Sequence, residues 1–461
     1  MPRIARLAST CLVAPLALVA VASAAPPTAA QQGCIVAVGQ AAATLARAES
    51  RRGFDCALAA PGAVDPACLA ADPQGQVASD RAAARSAIVG ACAVPPPFGT
   101  ADRPVPTAVD AATVHVRGLV ADLFGDGSAL AASGTPRCRT AVARNTDRLL
   151  AATLHDALAC QRAALRAGAA DAAALSSCVA AGGGSAARRA GKLRGRVRRA
   201  CAATDDAALA ASVRSRVACR ACRLLNAVGR LDADCDQLDD GVADDTCRMR
   251  VRLEGDVIPF HLVPDGRLEG ATVTVLEDPG RQVVTGADGH FVFDDLDEGS
   301  DVTLVMSHPD YHPIQTGTMR LGPAGADRVT FQAVTSTIFG LLAAVLQVTP
   351  DEDHACQMVT TLTRYGKSMY DTGAHGEAGA VVQLDPPLPA EHGPIYFNSS
   401  VIPDRTQFPS SDDGGVLFIQ VPPGDYTWTA TKPGTAFSRV RMRCRVGYLV
   451  NASPPWGLQV Q

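Results

Sequence analysis

Cys219 and Cys222 form a C-x-x-C pair, the spacing of thioredoxin-like redox sites. That chemistry needs a βαβ setting, whereas Thr204 to Leu231 reads as one helix carrying both cysteines. Arg223 stands where a haem attachment motif needs His. With Cys235 and Cys247 close by, the reading is two local disulfides among these four; a thiol–disulfide oxidoreductase and a four-thiolate zinc site are the alternatives. The next group, DADCDQLDDGVADD, offers Asp232, Asp234, Asp236, Asp239 and Asp240. It opens like a calcium loop and then departs, with Gln237 where the turn needs Gly and Ala243 where it needs a bidentate Glu. A looser calcium site or a solvated, disulfide-pinned linker both fit, and calcium is the one cofactor these residues point to. His308 and His312 flank Pro309 and Tyr311, as half a metal site or as surface loop histidines. No H-x-x-E or H-E-x-x-H pair, G-x-S-x-G elbow or phosphate-cradling Gly loop occurs, so no catalytic residue is assigned and a non-enzyme is expected.

The elements that must position these residues begin with a cysteine repeat. Cys34, Cys56, Cys68 and Cys92 are 22, 12 and 24 residues apart; Cys138, Cys160, Cys178 and Cys201 are 22, 18 and 23 apart. Ala-rich, Arg-dotted segments between them favour helices of about 33 Å, and two such helices joined by a loop make a hairpin. Antiparallel packing brings inner cysteines together at the loop and outer ones at the open end. The expected pairs are therefore Cys34–Cys92, Cys56–Cys68, Cys138–Cys201 and Cys160–Cys178. VPPPFGTADRPVP from Val94 reads as a linker, and Asp110 to Phe124 as a connecting helix. The basic run RRAGKLRGRVRR, residues 188 to 199, has no aromatic interleaved for base stacking and reads as a solvated helix face.

After Cys247 the pattern changes to alternating apolar residues punctuated by Gly, Pro and Asp. Arg248 to Leu253, Ala271 to Glu277, His290 to Phe293, Val302 to Met306, Thr316 to Leu321 and Arg328 to Val334 read as short strands of a sandwich. Thr285 to Gly299, TGADGHFVFDDLDEG, returns 125 residues later as SSDDGGVLFIQVPPG, with Asp288–Gly289 matched by Asp413–Gly414. Asp-Gly supplies a hairpin turn and the alternating apolar residues a half-buried strand. Cys356 and Cys444 lie on expected strands and are paired.

GATVTV (Gly270 to Val275), the TGADGHFVFDDLDEG stretch, and Tyr311 between Pro309 and Pro313 resemble a carboxypeptidase regulatory-like domain. GAVVQL (Gly379 to Leu384) followed by SSDDGGVLFIQVPPGDYTWTA resembles a second copy, enlarged by 16 residues before its Asp-Gly pair. The resemblance implies two transthyretin-like, carbohydrate-binding-like β-sandwiches and a glycan or protein ligand at the cell surface. Tyr396 and Phe397 in the enlarged loop, with Trp456, are the ligand-binding candidates, the alternative being core packing.

The whole chain, 461 residues with a net charge of −4, argues against a nucleic-acid or anionic-membrane partner. Arg3 and Arg6, an apolar run Cys11 to Val21 and Ala22-Ser23-Ala24 read as a signal peptide, and no run suffices for a membrane span. Without Cys11, 14 cysteines remain, as a disulfide-bonded periplasmic or extracellular protein would have. Arg and Ala excess fits high-GC bacterial coding. The expected class is multidomain α plus β: disulfide-stapled helical hairpins, then two β-sandwiches. The expected units are 1–24 signal peptide, 33–93 hairpin 1, 94–108 Pro-rich linker, and 109–247 hairpin 2 with an extra helix and the Asp-rich loop. Sandwiches follow at 248–335 and 350–461. The expected function is non-enzymatic binding or structural support, with a calcium-stabilised binder as the first alternative.

Overall fold

A computed structural model describes residues 25–461 apart from 60, 74, 129, 131–134, 181–183, 202–204, 264, 369, 372, 374 and 454. The expected signal segment, with Cys11, lies outside the described residues. The first half is helical: α1 (Ala29–Ala59), α2 (Pro66–Ala70), α3 (Gln76–Ala91), α4 (Pro104–Phe124), α5 (Pro136–Arg166), α6 (Ala172–Ala180), α7 (Gly184–Ala200), α8 (Asp206–Gly229) and α9 (Cys235–Asp239). Local chemistry starts several of them. Thr135 caps α5 by accepting from the Cys138 N–H, Asp205 caps α8 by accepting from Ala207 and Ala208, and Pro136 sits at N1 of α5.

The buried face of α1 is mostly small: Ala41, Ala42, Ala43 and Ala46 beside Val38 and Leu45. Such faces bury little area per residue, so the helices must approach closely to form a core. Gly39 shows how close: a Cβ there would lie 2.6 Å from Leu158 Cδ2 of α5. α4 is longer than the connecting helix expected over 110–124, starting on Pro104, and is buried between α1 and α8 through Ala108, Ala112, Leu119 and Phe124. Disulfides join Cys34 to Cys92, Cys56 to Cys68, Cys138 to Cys201 and Cys160 to Cys178.

The second half is β-rich. Its strands are β1 (Arg250–Pro259), β2 (Thr272–Val275), β3 (Asp278–Val284), β4 (His290–Asp297), β5 (Asp301–Val302), β6 (Leu304–His308), β7 (Tyr311–Thr316), β8 (Met319–Arg320) and β9 (Phe331–Ala333). Helix α10 (Ser336–Val345) follows. Then come β10 (Cys356–Thr363), β11 (Val381–Asp385), β12 (Ile395–Phe397), β13 (Pro403–Asp404), β14 (Gly415–Val421), β15 (Gly424–Thr431), β16 (Val440–Cys444), β17 (Leu449–Asn451) and β18 (Leu458–Gln459). In the first copy two strands lie where none is expected from the sequence, β3 and β7; β3 is a largely exposed edge and β7 contains Pro313. In the second, β12 and β13 form within the expected loop.

The duplication is visible in the pairing. Antiparallel β1–β4 sets Leu253 opposite Phe293 and Gly255 opposite Phe291; antiparallel β10–β14 sets Met358 opposite Phe418 and Thr360 opposite Val416. Both ladders carry a register shift at the matching place, Val251/Leu253 and Cys356/Met358. β2–β6–β7 is echoed by β11–β15–β16. Gly289 and Gly414 have φ of 62° and 81°, and a Cβ on either would lie within 3 Å of backbone oxygen, on Val257 and Leu362 respectively. Turn geometry and close approach both demand glycine there. Each copy has its own core, Phe291, Phe293 and Phe331 in the first and Phe418, Trp428 and Met442 in the second. The cores share one sheet, because β17 pairs in parallel with β10 on one side and with β7 on the other, giving a 10-stranded sheet. Cys356–Cys444 crosses the second core.

A seam of charge joins the halves, and the Pro-rich stretch runs along it. Asp102 accepts from Arg230 Nη1 at 2.6 Å and Arg441 Nε at 3.1 Å, with Arg439 at 3.5 Å. Asp301 accepts from the same Arg230 and Arg441. Arg439 also donates to the carbonyls of Pro96 and Thr100. Nearby, His115 of α4 meets Glu298 at 3.0 Å, both buried.

Candidate functional site

Cys219 pairs with Cys247 and Cys222 with Cys235, so the C-x-x-C is split between two buried disulfides. This corrects the redox and zinc alternatives: neither thiol faces the other, and no thiolate is free to bind metal. The aspartates of the calcium alternative lie in the same region. Asp234 caps α9 by accepting from the Gln237 N–H, and Asp236 accepts from the Asp245 and Cys247 N–H groups. Asp239 accepts from Ser215 and Thr246, Asp240 from the Val242 N–H, and Asp232 pairs with Arg320. The carboxylates thus cap turns instead of converging. Among the described residues no group of three or more His, Cys, Asp or Glu could hold a metal ion.

The three ligand candidates part company. Tyr396 is fully buried, its Oη accepting from the Val382 N–H at 2.9 Å, and this corrects its assignment to an exposed loop. Trp456 lies at the seam with the Arg103 guanidinium 3.9 Å from its ring centroid. Phe397 alone lines an open cleft in the β half.

That cleft has a volume of about 450 Å³. Strand alternation builds its floor: Val359 and Thr361 from β10, Leu417 and Ile419 from β14, Leu449 and Asn451 from β17. One wall is α10, through Phe339, Leu342 and the C-cap Leu346; the others are the turn Phe260–Leu262 with Val263, and the enlarged loop with Phe397 and Val401. Helix α10 forms because Thr335 caps it by accepting from the Ile338 N–H, and STIFGLLAAV contains no charge. A helix apolar on every side is normally enclosed. Here Leu341 is 63% exposed and Val345 48%, and Val401 of the cleft lining also stands exposed. At the far end Asp413 lines the cleft; burial pushes its carboxyl above the usual range, against the opposing pull of the Gly415 N–H and His375. The sequence signal for this site was the apolar run after Thr335, which length alone marked as too short for a membrane. No described helix is long and apolar enough to cross one.

His312 holds α10 to the sheet, its ring stacked on Phe339 at 3.9 Å and 10°. Burial depresses its pKa, against a weaker pull from Glu352. The unfolded chain therefore takes up this proton first, and stability is full above the ordinary His value of about 6.5 and falls as pH drops below it. Thermal melts between about pH 7.5 and about pH 5.5 should show this loss, and His312→Phe should remove part of it. An unchanged pH dependence in that variant would refute the assignment.

No family model matches the chain, and no curated protein matches it. Among solved structures, part of the chain is similar to the Bacillus anthracis TIE protein, at 12% identity and a TM-score of 0.15, covering 46% of this chain and 34% of that one. Another part-match is GBS52, the minor pilin of the gram-positive pathogen Streptococcus agalactiae, at 9% identity and a TM-score of 0.15, covering 45% and 94%. The chain spans about a third of the length of the first, and at these TM-scores neither likeness bears on function.

Proposed function

We propose that this chain is an exported, non-enzymatic binding protein, periplasmic or extracellular, in which a disulfide-stapled helical body rigidly supports two carboxypeptidase regulatory-like β-sandwiches. The apolar cleft beside α10 is its receptor surface. One observation carries the reading: an uncharged helix and an apolar cleft lie open together where the two copies share a sheet. Seven disulfides support an oxidising compartment, and the repeated pairing supports the family reading. A protein partner at the cell surface suits the cleft better than a glycan, because of the three aromatic ligand candidates only Phe397 reaches it, too few to stack on sugar rings.

The test is binding of labelled mature protein to cells treated with protease or with periodate. Protease should abolish binding and periodate should spare it. Leu342→Asp, which places a carboxylate in the cleft, should weaken binding at least about tenfold, since desolvating a charge exceeds about 1.4 kcal/mol. Periodate-sensitive binding that tolerates Leu342→Asp would replace this reading with a glycan site elsewhere.

A further inference from the structure

A second cleft, of about 530 Å³, opens at the seam between the helical body and the β half. Most charges lining it are already matched: Asp102 with Arg230, Arg439 and Arg441, Asp232 with Arg320, and Glu298 with His115. Three are not. Arg103 donates from Nη2 to Gln459 Oε1 at 3.2 Å and stacks on Trp456, but its Nε is buried with no partner, and no carboxylate lies within 4.0 Å of its guanidinium among the described residues. Asp110, two turns further along α4, and Asp327, exposed at the rim, each line the cleft with no ion pair or hydrogen bond among the described residues.

These groups sense one another without touching. Burial lowers the Arg103 pKa to about 10, against the pull of Asp110 and Asp327. Burial raises that of Asp110, Arg103 and Arg81 oppose the rise, and Asp327 adds to it. A half-buried guanidinium with no carboxylate in contact is costly, and so is a half-buried carboxylate with a second one nearby. One bound molecule carrying both signs relieves both costs. An anion alone would leave the carboxylates uncompensated, and a cation alone would leave Arg103 so.

We propose that this cleft binds a small zwitterion of amino-acid or short-peptide size, with its carboxylate on Arg103 and its ammonium between Asp110 and Asp327. Trp456 orients Arg103 by stacking beneath it, which gives this ring a part in binding through the guanidinium.

The experiment uses the full mature chain, calorimetry and thermal melts. The probes are triglycine, N-acetyl-triglycine, triglycine amide, a pool of free L-amino acids, and sodium acetate, each at about 10 mM, a concentration at which even weak ligands shift a melt. Triglycine or the amino-acid pool should raise Tm. Removing either charge, as the N-acetyl or amide form does, should weaken binding at least tenfold. Arg103→Gln should lose binding, and Asp327→Asn, at an exposed position that leaves the fold intact, should weaken it about tenfold. Leu342→Asp should bind normally, which separates this site from the apolar cleft. No Tm rise with any zwitterion overturns the proposal. Equal binding of the amide or N-acetyl form, or an equal rise with acetate, reduces the site to a single-charge site and overturns it as well.

Discussion

Asp102→Ala should destabilise the protein by on the order of 3 kcal/mol and uncouple the β half from the helical body. Asp102 is one carboxylate facing three guanidiniums, those of Arg230, Arg439 and Arg441, and its side chain is only 18% exposed. Removing one member of such a group strands the others, which costs far more than an exposed pair is worth. Arg443–Asp425, at 3.0 Å but 46% and 77% exposed, is the internal control, and Arg443→Ala should change stability by less than about 0.5 kcal/mol. Denaturant unfolding read separately from helix signal and from tryptophan fluorescence should show coincident transitions in the parent and separated ones in Asp102→Ala. A variant with coincident transitions and parental stability would show that the seam holds without this carboxylate. Acid should act through the same group. Burial pushes the Asp102 carboxyl up, and Arg439, Arg441 and Arg230 outweigh it, holding the group below the ordinary range. The stabilisation is present above the ordinary carboxylate value of about 3.9 and is lost as pH falls through the folded value; Asp102→Asn should flatten that part of the profile.

The second large effect belongs to the outer staple of the first helical hairpin. Cys34–Cys92 closes a loop of 58 residues and Cys56–Cys68 one of 12. In the chain-entropy model these contribute about 4 and about 3 kcal/mol. The Cys34→Ser/Cys92→Ser protein should therefore lose more stability than Cys56→Ser/Cys68→Ser. The difference should be enlarged because Cys34 and Cys92 are themselves buried in the alanine-rich core. Equal losses in paired denaturant melts would mean that local strain, and not loop length, governs these bridges.

Much of this architecture is legible in local chemistry. The nested cysteine spacings are enough to write four pairings that the structure contains, because helix length and antiparallel packing place partners at matching ends. Asp-Gly turns and alternating apolar residues identify the two copies, since positive φ and strand period are properties of a few neighbouring residues. Where local signals compete, they mislead. Pro104 and Pro106 read as linker, yet a proline at N1 starts α4, whose burial is set by α1 and α8. Tyr396 reads as a loop aromatic until β12 pairs with β14 and encloses it.

The residues in order are sufficient for the helix-then-strand division, the staples and the duplicated turn-and-strand element. They are silent on how the parts join. β17 meets β7 across Leu449 and Ile314, and Asp102 meets Arg441 across 339 positions. Neither contact leaves a periodicity or a spacing, because each depends on the shapes of folded units already formed. Both open clefts lie at such junctions, one beside the shared sheet and one at the charged seam. Cys219, Cys222, Cys235 and Cys247, by contrast, pair among themselves as their proximity in sequence suggests. Of the groups left unmatched, Arg103 and Asp110 share one helix, and Asp327 joins them only when the two halves dock.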